Sequence, residues 1–97
     1  MASGVQRLAG TFIATGALQS VLTVQWRPKK VTVYNRTTGI TLEWNEAFED
    51  ASGKKTLAAG TVSFVTTGGI TPVSNGFTLG TDSVNTAAAV CYWEAFQ

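Results

Sequence analysis

The stretch Val31-Thr32-Val33-Tyr34-Asn35-Arg36-Thr37-Thr38-Gly39-Ile40-Thr41-Leu42-Glu43-Trp44 decides how this chain is read. Val31 and Val33 alternate with Thr32 and Tyr34. Ile40, Leu42 and Trp44 alternate with Thr41 and Glu43. Neighbouring residues of a strand point to opposite faces, so a period of two gives each run one apolar row. The polar partners are mostly threonine, whose branched Cβ suits a pleated, half-exposed surface. Residues 35–39 separate the two runs and are rich in turn formers.

The same period continues outward. Leu22, Val24 and Trp26 alternate with Thr23 and Gln25, Val62 and Phe64 with Thr61 and Ser63, and Phe77 and Leu79 flank Thr78. Gly16, Pro28, Ser52-Gly53, Gly60, Gly68-Gly69, Pro72, Asn75-Gly76 and Gly80 punctuate the runs. Asn75-Gly76 is the strongest tight-turn signal, because both residues tolerate positive φ. The pattern predicts strands near 8–15, 19–26, 30–35, 40–46, 55–58, 61–66, 76–80 and 88–96. Short strands at intervals of about 8–12 residues imply an all-β fold. The expected form is a small antiparallel β-sandwich, jelly-roll-like or Ig-like, of about eight short strands. No segment carries a helical stripe; residues 44–51, with Glu46, Glu49 and Asp50, have room for one helical turn.

The last run differs from the others. Ala88, Val90, Tyr92 and Phe96 lie on one parity, and Ala89, Cys91, Trp93 and Ala95 on the other. Both rows are apolar, with Glu94 the one charge. This predicts a central strand, one face on the core and the other against the chain's own loops or a partner.

With 97 residues, the expected organisation is one domain over 1–97, with 1–7 as a flexible N-terminal arm. Charged residues make up 13% of the chain, about half the usual share, which implies a weakly charged surface. A net charge of +1 argues against a nucleic-acid partner. Met1-Ala2-Ser3-Gly4 lacks the features of a signal peptide, and no apolar run approaches a membrane span. A soluble protein made in a reducing cytoplasm is expected, with no membrane partner. The single cysteine, Cys91, rules out an intramolecular disulfide.

Histidine is absent, which removes the usual general base and metal ligand. Cys91 sits in an apolar run, where a thiol is inert. The six carboxylates are Glu43, Glu46, Glu49, Asp50, Asp82 and Glu94. Glu43 and Glu46 have opposite parity and should point apart, unlike a glycosidase pair. Glu46, Glu49 and Asp50 lack the spacing of a calcium loop and read as a solvated acidic loop. The glycines match no phosphate-binding fingerprint. Asn35-Arg36-Thr37 fits the glycosylation acceptor pattern only formally. Phe12, Trp44, Phe64 and Phe77 share parity with the apolar rows and are expected in the core. The expectation is therefore a protein that is not an enzyme, with no catalytic residue, no cofactor and no metal.

Two stretches carry a family resemblance. One is Gly16-Ala17-Leu18-Gln19-Ser20-Val21 leading into Trp26-Arg27-Pro28-Lys29-Lys30-Val31-Thr32-Val33. The other is Asn75-Gly76-Phe77-Thr78-Leu79-Gly80-Thr81-Asp82-Ser83-Val84-Asn85 followed by Val90-Cys91-Tyr92-Trp93-Glu94-Ala95-Phe96. Together they resemble the opening and closing patterns of small β-rich virion proteins of tailed bacteriophages. Trp26 and Arg27 stand before Pro28 where that family more often has Gly and Phe. The resemblance implies a capsid decoration (cement) protein that binds the outer face of the major capsid protein shell and stabilises the head. It further implies a homotrimer on the virion surface, assembled in the host bacterial cytoplasm. The alternative is a receptor- or carbohydrate-binding module of a phage tail or fibre. For partner contact the candidates are Ser3, Val5 and Arg7 of the N-terminal segment and Arg27, Lys29 and Lys30 of the basic turn, facing acidic capsid loops.

Overall fold

A computed structural model describes residues 6–97. It contains eight strands: β1 (Arg7–Ile13), β2 (Gln19–Val21), β3 (Lys30–Asn35), β4 (Thr41–Asn45), β5 (Ser52–Thr56), β6 (Val62–Val73), β7 (Gly76–Leu79) and β8 (Val90–Phe96). All pairings are antiparallel. They form one continuous sheet in the order β1-β8-β3-β4-β5-β6-β7-β2. The fold is thus all-β, a single antiparallel sheet curled into a half-barrel. The curl brings β7 across from β8, where Phe77 and Trp93 meet edge to face at 5.9 Å.

The alternation read from the sequence fixes the central strands. Val31 and Val33 of β3, Leu42 and Trp44 of β4, and Cys91, Trp93 and Ala95 of β8 are buried. Their registers place them side by side: Val33 faces Leu42 on one flank and Trp93 on the other. As expected, β8 is an inner strand, between β1 and β3. Its second face is open, with Tyr92 37% exposed.

Elsewhere the structure departs from the pattern. The run expected at 19–26 ends as a strand at Val21. Gln25 then takes a left-handed φ of 74° and donates its N–H to the Asn75 carbonyl. Leu22 is exposed and Val24 is buried, so this alternation comes from a turn dropping Val24 into the core. β6 is longer than the run expected at 61–66. Gly53 pairs with Val65 but Ser52 with Ile70, so residues 66–69 leave the β5 ladder. The carbonyls of Gly68 and Gly69 instead accept the Asp82 and Gly80 amides. Pro72 lies inside β6 opposite Phe77 and faces no β5 residue on its other side, an edge-like setting that tolerates proline. The hairpin turn is Ser74-Asn75, closed by Val73 and Gly76, one residue before the expected Asn75-Gly76. Gly76 serves packing: a Cβ there would overlap the Val21 carbonyl oxygen. Within 44–51, Trp44 and Asn45 end β4 and the rest forms turns and bends without a helix.

Two buried asparagines tie the loops to the sheet. The Asn35 amide donates to the Val84 carbonyl at 2.8 Å, and its oxygen accepts from the Thr37 and Thr38 amides. Fully buried, Asn35 is a structural residue and presents no acceptor for a glycan. Asn85 donates to the Ala17 and Gly80 carbonyls and accepts from the Gly16 amide. The Cys91 thiol lies against the Val84 carbonyl, and burial pushes its pKa up.

Candidate functional site

The sheet encloses its core on one face and opens the other to solvent. Directly opposed residues of antiparallel strands share a face, so the registers define rows across the open side. One row runs Arg7, Phe96, Lys30, Asn45. The next runs Ala9, Glu94, Thr32, Glu43, Lys54, Phe64 over six strands. A third runs Thr11, Tyr92, Tyr34, Thr41, Thr56, Val62. Tyr34, Tyr92, Val62 and Phe64 are all exposed there, as is Ile13 at the end of β1. Phe64, expected in the core, is 53% exposed, because its parity follows Lys54 and not Leu42. Its ring rests edge-on against Phe48 at 5.0 Å.

The structure brings most of the expected contact residues to one end of this sheet. Arg7 opens β1 and is built into the ladder, so the sheet begins inside the expected 1–7 arm. Ser3 and Val5 lie outside the described residues. Arg7 and Lys30 both flank Phe96. The Lys30 Nζ stands 5.3 Å from that ring centroid, in cation–π range. The Arg7 Nε donates to Glu94 Oε2 at 2.8 Å, and its Nη2 donates to the same oxygen and to the Tyr92 hydroxyl. The hydrogen bond and charge of Glu94 push the Arg7 pKa further up. Arg27 donates to the Pro72 carbonyl at 3.2 Å, while the Lys29 side chain is exposed.

Arg7, Arg27 and Lys30 are therefore engaged by the chain itself, which sequence reasoning missed. Glu94, Tyr92 and Phe96 become their partners only through the β1–β8–β3 register. Parity did place Tyr34 opposite the core valines of its strand, whereas both rows of the last run are apolar and left open whether that of Tyr92 or that of Trp93 faces the core.

Beside this end lies a groove of about 550 Å³. Arg27 and Lys29 share it with Glu46 and Asp50, and Trp44 and Phe48 contribute its apolar lining. Cations and carboxylates line it together, so no single charge sign dominates. Among the described residues, no three acidic or cysteine side chains gather as a metal site. The second ion pair, Lys55 with Asp82 at 3.2 Å, is nearly buried and pins β5 to the loop after β7. No protein-family model matches the chain, and neither a curated protein nor a solved structure matches it.

Proposed function

We propose that this chain is a phage virion structural protein of the capsid decoration type, seated on the outer face of the major capsid protein shell. The observation that carries this reading is the open face of the sheet. Tyr34, Tyr92, Val62 and Phe64 are exposed among threonines, and the Arg7 and Glu94 charges are paired with each other. Protein-binding surfaces are rich in such aromatic residues at their centre. The resemblance adds to it. The two stretches that carry it are joined in space by the β2–β7 and β3–β8 pairings and by Asn85 on Gly16 and Ala17. We read the curl that sets β7 across from β8 as a sandwich-like closure of the jelly-roll kind. A binding role without catalysis fits a chain with no histidine and a buried thiol of raised pKa.

Titrating the purified protein onto expanded, undecorated phage heads tests the reading. Saturable, stoichiometric binding is expected, weakened at least tenfold by Tyr34→Lys, a substitution on an exposed position. Absence of saturable binding overturns the proposal. Specific capture on a glycan array in its place assigns the face to the tail-module alternative.

A further inference from the structure

We infer that β1 pairs edge to edge with the β1 of a second copy, across a two-fold axis at Gly10. The inference is independent of the capsid reading and rests on the sheet edge alone.

The two ends of the sheet differ. At one end β2 has only three residues, and a short edge strand is a usual protection against pairing. At the other end β1 has seven residues in unbroken register with β8. Among the described residues its outer edge has no strand partner. Leu8-Ala9-Gly10-Thr11-Phe12-Ile13 contains no proline, no charge and no bulge, so the usual protections are missing. The strand's one charge, Arg7, is bound to Glu94.

The hydrogen-bonding parity is fixed by the strand's ends. The Gln6 carbonyl accepts from the Gln97 amide, and Ala14 exchanges hydrogen bonds with Ala88 and Ala89 of the segment leading into β8. Even-numbered residues thus turn their backbone groups to β8. Alternation leaves those of Arg7, Ala9, Thr11 and Ile13 facing outward, and of these the Ile13 carbonyl accepts from the Gln19 side-chain amide at 3.1 Å. All four are exposed.

An antiparallel pair centred on Gly10 fits the open part of this edge, from Leu8 to Phe12. Ala9 meets Thr11 of the second copy, exchanging two N–H···O bonds, and Arg7 meets Ile13, whose N–H donates to the Arg7 carbonyl while its own carbonyl stays with the Gln19 side chain. No like charges are opposed, because the single cation lies at one end and lands on isoleucine. A parallel in-register pair would set Arg7 on Arg7. On the core side, Leu8 meets Phe12, and Leu8 is now 39% exposed. Gly10 meets Gly10 at the closely spaced, non-hydrogen-bonded position. Its missing side chain makes room for the Trp93 indole, since a Cβ there would lie 2.9 Å from Nε1. An isologous contact of this kind closes at two copies.

Sedimentation of the full chain over a range of concentrations tests the inference. A monomer–dimer equilibrium is expected, with a limiting mass twice that of the chain. Thr11→Pro removes one outward N–H and none that faces β8, and Ala9→Lys puts a charge beside the edge. Each should raise the dissociation constant at least tenfold with the circular dichroism spectrum unchanged. Ser20→Lys, on β2, should leave association intact. A monomer at every concentration, a limiting mass of three chains, or a dimer that persists in both β1 variants overturns the inference. Tighter association after removal of residues 2–5 assigns the edge to the chain's own N-terminal segment and overturns it equally.

Discussion

The two halves of the sheet are built by different means. In β8, β3 and β4 the strands are held in place by side chains: Trp93, Val33 and Leu42 lie abreast on the core face. In β6, β7 and β2 the backbones themselves touch. A Cβ on Gly80 would lie 2.6 Å from the Gly68 Cα, and one on Gly69 would overlap the Ser52 carbonyl. The comparison teaches that a period of two reports side-chain burial and says little where glycine lets main chain cross main chain.

Removing the contact that joins the halves should have the largest effect. Trp93 belongs to the side-chain half and reaches Phe77 in the other. Trp93→Ala should cost about 3–5 kcal/mol, the range for deleting a large buried aromatic. A denaturant melt that loses less than about 1.5 kcal/mol would show that the halves are stable apart.

A matched pair of glycine substitutions sharpens the comparison. In the backbone-built half, Gly76→Ala drives a methyl into the Val21 carbonyl, which has nowhere to go while β2 stays paired to β7. A loss near the top of the overpacking range, about 3 kcal/mol, is expected. In the other half, Gly10→Ala meets only the Trp93 ring, a side chain that gives way more cheaply than backbone does. The loss there should be about 1 kcal/mol. Equal losses at the two sites would remove the distinction.

This difference also explains what the sequence made legible. The strands at 30–35, 40–46 and 88–96 were readable because their alternating residues face a single core. The bend at residues 66–69 was not, since it depends on which distant amides the Gly68 and Gly69 carbonyls accept. The end of β2 was hidden for a related reason, because Val24 is buried from a turn and imitates strand parity. At the candidate site, parity set Tyr34 opposite the core valines and composition marked the basic residues, but the doubly apolar last run did not tell which face Tyr92 is on. Neither disclosed that Arg7 would face Glu94, which required the register of strands 87 positions apart in the chain.

A smaller effect is expected from the clamp between β3 and the loop that closes the core. Asn35→Ala leaves the buried Val84 carbonyl only the weak Cys91 thiol as a donor and unpairs the Thr37 and Thr38 amides. The expected loss is about 2 kcal/mol, in line with leaving buried partners unsatisfied. Thermal melts of this variant beside Thr38→Ala, which keeps the Asn35 side chain, would isolate the amide's share; similar losses in the two would refute that role.

The smallest effect concerns Cys91 and sets the core face of the sheet against its open face. Burial raises the thiol pKa above its ordinary value of 9.0. Above that pH the unfolded chain releases the proton while the folded chain keeps it. The unfolded state then binds fewer protons, so stability falls as pH rises. The contribution is complete below pH 9 and shrinks towards the folded-state pKa, by at most about 1.4 kcal/mol per pH unit. Urea midpoints measured from pH 8 to pH 10 should therefore fall more steeply for the wild type than for Cys91→Ala. Replacing Thr32, half-buried on the open face of the neighbouring strand β3, with serine should leave the wild-type slope unchanged. Parallel curves for the wild type and Cys91→Ala would mean that water reaches the thiol, and that the core face of β8 is less enclosed than its packing implies.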